Sequence, residues 1–135
     1  MRPIPRLTMA VALAISWASM LAHNLYELPL SPVDPESLGP LVVAVALGLA
    51  YAARPDSFLV ATLAFAWGVL NLVIGGVLSV LPLSFLPFVP EQTLTHYGAH
   101  VVYTLGQLPL VVVAYRAARI AGASRKLSAT DTVAR

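Results

Sequence analysis

The sequence predicts an all-helical membrane protein, a bundle of four transmembrane helices in up-down-up-down order, on three observations. Of 135 residues, 59% are apolar and only 10% are charged, with a mean hydropathy of +0.82; a water-soluble domain carries about a quarter of its residues as charges. Four stretches between charges and prolines are long enough to cross a hydrocarbon core, which needs roughly 20 residues of helix. Every basic residue falls at one side of those stretches.

The first span covers about residues 7–28. The second covers about 36–53, with Pro35 and Glu36 at its start and Pro40 either delaying or kinking it. The third covers about 55–81 and the fourth about 91–120. Asp34-Pro35-Glu36, Arg54-Pro55-Asp56 and Pro90-Glu91 place a proline near the first helical position with an acid beside it, where the missing amide costs nothing and the helix dipole favours negative charge. Gly122 is a natural stop, which makes 1–123 the membrane domain and 124–135 a short disordered tail. The segment 83–90 is apolar but broken by prolines, which suits a piece lying in the interface better than a fifth span.

Cytoplasmic loops retain Lys and Arg. Arg2 and Arg6 precede the first span, Arg54 lies between the second and third, and Arg116, Arg119, Arg125, Lys126 and Arg135 sit at the end of the fourth. Both termini are therefore expected in the cytoplasm of a cell with this protein in its inner (plasma) membrane. A signal-peptide cut after Ala22 is disfavoured, because the position three before the cut is Met20 rather than a small residue. The net charge of +2 is too small for a phosphate-tracking groove, so nucleic acid is not expected as a partner. The expected partners are the lipid bilayer and, on one reading, a larger membrane complex or further copies of the chain.

Small residues are the expected contacts between membrane helices. Ala10, Ala14, Ala18 and Ala22 line the first span, Ala44, Gly48 and Ala52 the second, and Ala64, Gly68 and Gly76 the third. Tyr26, Tyr97 and Tyr103 are placed for an aromatic belt at headgroup level.

The chemistry is confined to few residue types, since the chain has no cysteine. No His-Glu-x-x-His, phosphate-binding glycine loop or Gly-x-Ser-x-Gly elbow occurs, so no reaction is named by a motif. Ionisable groups inside a span are expensive and default to functional candidates. Ser16, Met20, His23 and Glu27 share one stripe of the first helix, and His96, His100, Tyr103 and Gln107 one stripe of the fourth. Counted from the helix ends, His23, Glu27, His96 and His100 fall in one outer-leaflet layer. Asn71 and Gln107 continue a polar track inward, and Trp67, Asn71 and Gly75 share a face of the third helix.

Three chemistries fit this layer. The first is a metal site of His23, Glu27, His96 and His100, which suits zinc or copper, with Met20 as a soft ligand for Cu(I). The second is a b-type haem held axially by His23 and His100, with Ala22, Gly98 and Ala99 leaving room. The third is a quinone or proton site using His100, Glu27, Tyr103 and Gln107, and His23, His100, Tyr103, Asn71 and Gln107 are the candidates for binding a cofactor or small ligand. Beside them stands a structural reading: a His23–Glu27 pair near a helix end, and Asn71 and Gln107 bonding between helices. On that reading the chain is a non-catalytic accessory or assembly subunit.

Overall fold

The computed structural model describes residues 2–28 and 30–133, with side chains as far as Leu127; Met1, Pro29, Ala134 and Arg135 lie outside it. The described residues are helical with no strand. Helix α1 is Arg6–Glu27, α2 is Pro35–Ala53, α3 is Phe58–Leu70 and α4 is Leu94–Val133. A π-helical segment, Asn71–Val77, and one 3₁₀ turn, Leu78–Val80, prolong α3. Four helical stretches, ending in the third case at Val80, are long and apolar enough to cross a membrane.

The helix boundaries follow from local hydrogen bonding. Pro35 opens α2 and Pro40 lies inside it without ending it. Pro55 and Asp56 form a turn rather than the start of the third span. Helix α3 begins after Ser57, whose hydroxyl accepts the Val60 amide at 3.3 Å. Helix α4 likewise begins after Thr93 rather than at Pro90, and the Thr93 hydroxyl accepts the His96 amide at 3.2 Å. A side chain that satisfies an otherwise orphaned amide sets a helix start more firmly than a proline does. At the other end, Gly122 does not stop α4, which runs on to Val133; residues 124–133, expected as a tail, continue the helix.

Helix α4 packs along both α1 and α3, and α1 also packs on α2. The pairings run antiparallel. Glu27 of α1 meets His96 of α4 and Ser16 meets Gln107. On α2, the Ser37 carbonyl accepts from the Trp17 indole at 3.2 Å, and the Tyr51 hydroxyl donates to the Ile4 carbonyl at 3.0 Å. Gly68 faces Leu110 and Gly122 faces Phe58. The apolar core, including Met9, Leu13, Tyr51, Ala61, Ala64, Leu110 and Ala114, fills the half of the molecule nearer the N-terminus of α1. The opposite half holds the histidines.

The small-residue stripes divide. Ala64, Gly68 and Gly76 are buried, as is Ala44, but Ala52 is exposed. Ala10, Ala14, Ala18 and Ala22 are all exposed, contrary to the contact face expected of them. The buried face of α1 is Met9, Ala12, Leu13, Ser16, Met20 and Asn24. At 100° per residue, Ala18 lies about 200° from Ser16. The face holding the polar side chains turns inward, since they need partners, and the alanine stripe is left outside.

Candidate metal centre

Three imidazoles meet where the end of α1 crosses the start of α4. His23 lies one turn before the last residue of α1; His96 and His100 are one turn apart on α4. One ring nitrogen of each lies within 4.8 Å of the corresponding atoms of the other two, so the three can hold a metal ion. His23 Nε2 and His100 Nε2 are 3.0 Å apart. The ring centroids of His100 stand 4.4 Å from His23 and 4.6 Å from His96.

The outer nitrogen of every ring faces an oxygen that can only accept. His96 Nδ1 is 2.6 Å from Glu27 Oε2, His100 Nδ1 is 3.1 Å from the Gly76 carbonyl, and His23 Nδ1 is 3.3 Å from Asn24 Oδ1. The Asn24 amide is oriented by its other end, because Asn24 Nδ2 donates to the Glu36 carbonyl at 3.4 Å. An ionised carboxylate, a backbone carbonyl and an amide oxygen carry no proton. Each Nδ1 therefore donates, and each neutral ring presents a bare Nε2 lone pair. The His96 Nε2 atom is buried and has no hydrogen-bond partner among the described residues. Two lone pairs 3.0 Å apart repel unless a positive charge lies between them.

The distances discriminate among ligands. Nitrogens about 2.0–2.1 Å from a tetrahedral zinc ion stand roughly 3.3 Å apart, close to the His23–His100 separation of 3.0 Å. Opposed axial ligands of a haem need roughly 4 Å, twice a metal–nitrogen bond, with a flat macrocycle between them. His96 also offers a ring nitrogen within 4.8 Å of both, so a haem between His23 and His100 would require the rings to move apart.

Glu27, grouped with the histidines as a ligand from the sequence, stands behind His96 instead. Its contact is of the carboxylate–histidine kind that fixes the tautomer of metal-binding rings. Met20 is buried on the inward face of α1. Tyr103, expected in the aromatic belt, is buried in the protein, and its hydroxyl donates to Asn71 Oδ1 at 2.9 Å. Asn71 Nδ2 donates to the Trp67 carbonyl at 2.8 Å. Gln107 is fully buried; it accepts from the Ser16 hydroxyl at 2.5 Å and donates to the Ser16 carbonyl at 3.0 Å and the Ser19 hydroxyl at 3.1 Å. These three side chains spend their hydrogen bonds inside the protein, next to the histidine layer and away from the convergent nitrogens. A groove of about 480 Å³, bordered by Ala22, His23, Tyr26, Gly98 and Ala99, opens beside His23.

Three participants escape a reading of stripes. Asn24 lies 100° around α1 from His23, at the edge of the polar stripe four residues after Met20, and reaches its neighbour through a bond between adjacent residues. The Gly76 carbonyl belongs to the backbone, and the π-helical turn that presents it carries no ionisable residue. Ser19 stands beside the stripe, three residues after Ser16 and four before His23; its sequence signal is a hydroxyl at that spacing within an apolar span. No protein-family model matches the chain, and no curated protein or solved structure matches it either.

Proposed function

We propose that this chain is a small integral membrane protein that holds a zinc or copper ion at His23, His96 and His100, with Glu27, Gly76 and Asn24 orienting the three rings. The observation that carries the reading is the set of three Nδ1 atoms, each against an acceptor oxygen, in rings that bring one nitrogen apiece within 4.8 Å of one another. Imidazole suits both metals. Three protein ligands leave a fourth position for water, substrate or a transfer partner, as in exchangeable and catalytic sites rather than closed structural ones.

The placement of charge supports an inner (plasma) membrane location with cytoplasmic termini and the site near the outer face. Arg6, Arg54, Arg116, Arg119, Arg125 and Lys126 lie toward the end opposite the histidines, and basic residues stay inside. A reporter fused after Arg135 is then active in the cytoplasm; activity outside would invert the orientation.

The metal reading is tested by elemental analysis and X-ray absorption of the full chain purified from metal-replete cells. Near-stoichiometric zinc or copper with imidazole scattering is expected, and its loss in His23→Ala and His100→Ala. Wild-type protein that takes up neither metal would overturn the reading.

A second reading, an accessory or assembly subunit of a larger membrane complex or a homo-oligomer, is favoured by the uncovered Ala10, Ala14, Ala18 and Ala22 stripe. Close approach through small residues is how membrane helices associate. Co-purification of a partner in mild detergent supports it, and a monodisperse monomer counts against it.

A further inference from the structure

At the end of the molecule opposite the histidines, the start of α3 and the last membrane-spanning turns of α4 part to leave a groove of about 780 Å³. That size falls within the range of about 300–1,000 Å³ typical of small-ligand sites. Its walls are aromatic: Phe58, Phe65 and Tyr115 line it, with the Phe65 and Tyr115 ring centroids 5.8 Å apart. Its rim is cationic, formed by Arg119, Arg125 and Lys126. None of the described lining residues is acidic.

Arg119 is held in place by the wall itself. Its Nη1 donates to the Tyr115 hydroxyl at 3.0 Å, and its guanidinium carbon stands 5.8 Å from the Tyr115 ring centroid. The guanidinium keeps four further N–H donors, and ordering by Tyr115 lowers the entropic cost of using them on a ligand. Phe65 lies two turns into α3 from Phe58, about 10 Å further along the span. The site is therefore amphipathic along the membrane normal, with an apolar slot at hydrocarbon depth and three positive charges at its mouth.

We propose that this groove binds an anionic glycerophospholipid, with an acyl chain against Phe58, Phe65 and Tyr115 and the phosphate against Arg119, Arg125 and Lys126. Charge complementarity selects this occupant. A zwitterionic lipid offers the same chain without the net negative charge, and a free phosphate leaves the aromatic walls uncovered. The site shares no residue with the metal centre, so either can fail without the other.

The test is native mass spectrometry of the full chain in detergent with added phosphatidylglycerol or phosphatidylcholine. Wild-type protein is expected to retain phosphatidylglycerol selectively. The surface variant Arg119→Gln/Arg125→Gln/Lys126→Gln is expected to lose retention on the order of 100-fold, at roughly five-fold per basic residue near an anionic headgroup. Ala118→Phe keeps all three cations and fills the slot, and is expected to lose the same selectivity. Equal retention of the two lipids by wild type would overturn the proposal, as would undiminished selectivity in the charge variant or in a monodisperse Ala118→Phe protein. Displacement of phosphatidylglycerol by millimolar inorganic phosphate would do so too, since it would assign the rim to a soluble anion. If Ala118→Phe does not accumulate, the charge variant alone decides, because its side chains lie at the surface.

Discussion

Glu27 Oε2 stands 2.6 Å from His96 Nδ1 across the α1–α4 interface, and this contact decides which nitrogen of His96 faces the other two rings. The carboxylate can only accept, so the ring proton is held on the outside and Nε2 is bare within. A carboxylate that holds a metal-binding imidazole in one tautomer and orientation is worth about 10–100-fold in metal affinity. Glu27→Ala is therefore expected to weaken zinc or copper binding by that factor while leaving saturated stoichiometry unchanged, as read by competition with a chromophoric chelator. Glu27→Gln keeps an acceptor oxygen without the charge and should fall between. A Glu27→Ala protein with wild-type affinity would remove Glu27 from the site.

Metal bound to the folded protein alone must stabilise it. An ion present at about 100 times its dissociation constant adds roughly 2.7 kcal/mol. Adding a chelator to wild-type protein should lower its thermal unfolding midpoint, and restored zinc or copper should raise it again. In His100→Ala the midpoint should not respond to chelator, which separates loss of metal from any effect of chelator on the membrane or detergent.

Gln107 offers the complementary case, a buried polar group whose work is structural. Its bonds to Ser16 and Ser19 join α1 to α4, and such bonds between membrane helices are worth about 0.6–1.7 kcal/mol. Gln107→Leu should cost about 1–2 kcal/mol in denaturant unfolding with metal content unchanged. Loss of metal in this variant would show that the two polar layers are coupled.

At Gly106 helix α4 passes so near α1 that a Cβ would overlap the Ser19 side chain. Overpacking of this kind costs about 1–3 kcal/mol. Gly106→Ala is expected to be destabilised by that amount in the same unfolding measurement, and Ser19→Gly/Gly106→Ala to recover much of it. An undisturbed single variant would mean that the helices are free to separate there.

The four spans and the gathering of His23, His96, His100 and Glu27 were legible in the sequence because both rest on counting. Span length follows from membrane thickness, and depth from 1.5 Å per residue. The partition of roles within the cluster was not legible. Whether Glu27 binds a metal or orients His96 depends on side-chain reach across two helices, and residue spacing on one helix cannot supply that. The alanine stripe of α1 was misjudged for a different reason. Two stripes about 200° apart compete for one interior, and partners for Ser16 and Asn24 matter more than the smooth fit of Ala14 and Ala18. Helix starts moved inward at Ser57 and Thr93 because a capping hydroxyl there outweighs the nearby proline.

The π-helical segment Asn71–Val77 also sets the phase of the third span. In a regular α-helix Gly76 would sit about 80° round from Gly68, at the edge of the face that meets α4 rather than at its centre. The wider turn, whose hydrogen bonds run from i to i+5, absorbs one extra residue and brings Gly76 back beneath His100. The third span thus behaves as an α-helix carrying a one-residue insertion. Removing one residue from 71–75 would restore the α pitch and keep the Gly76 carbonyl in phase, whereas removing two would rotate it by about 100° away from His100. Length, as much as side-chain chemistry, is therefore constrained in this stretch.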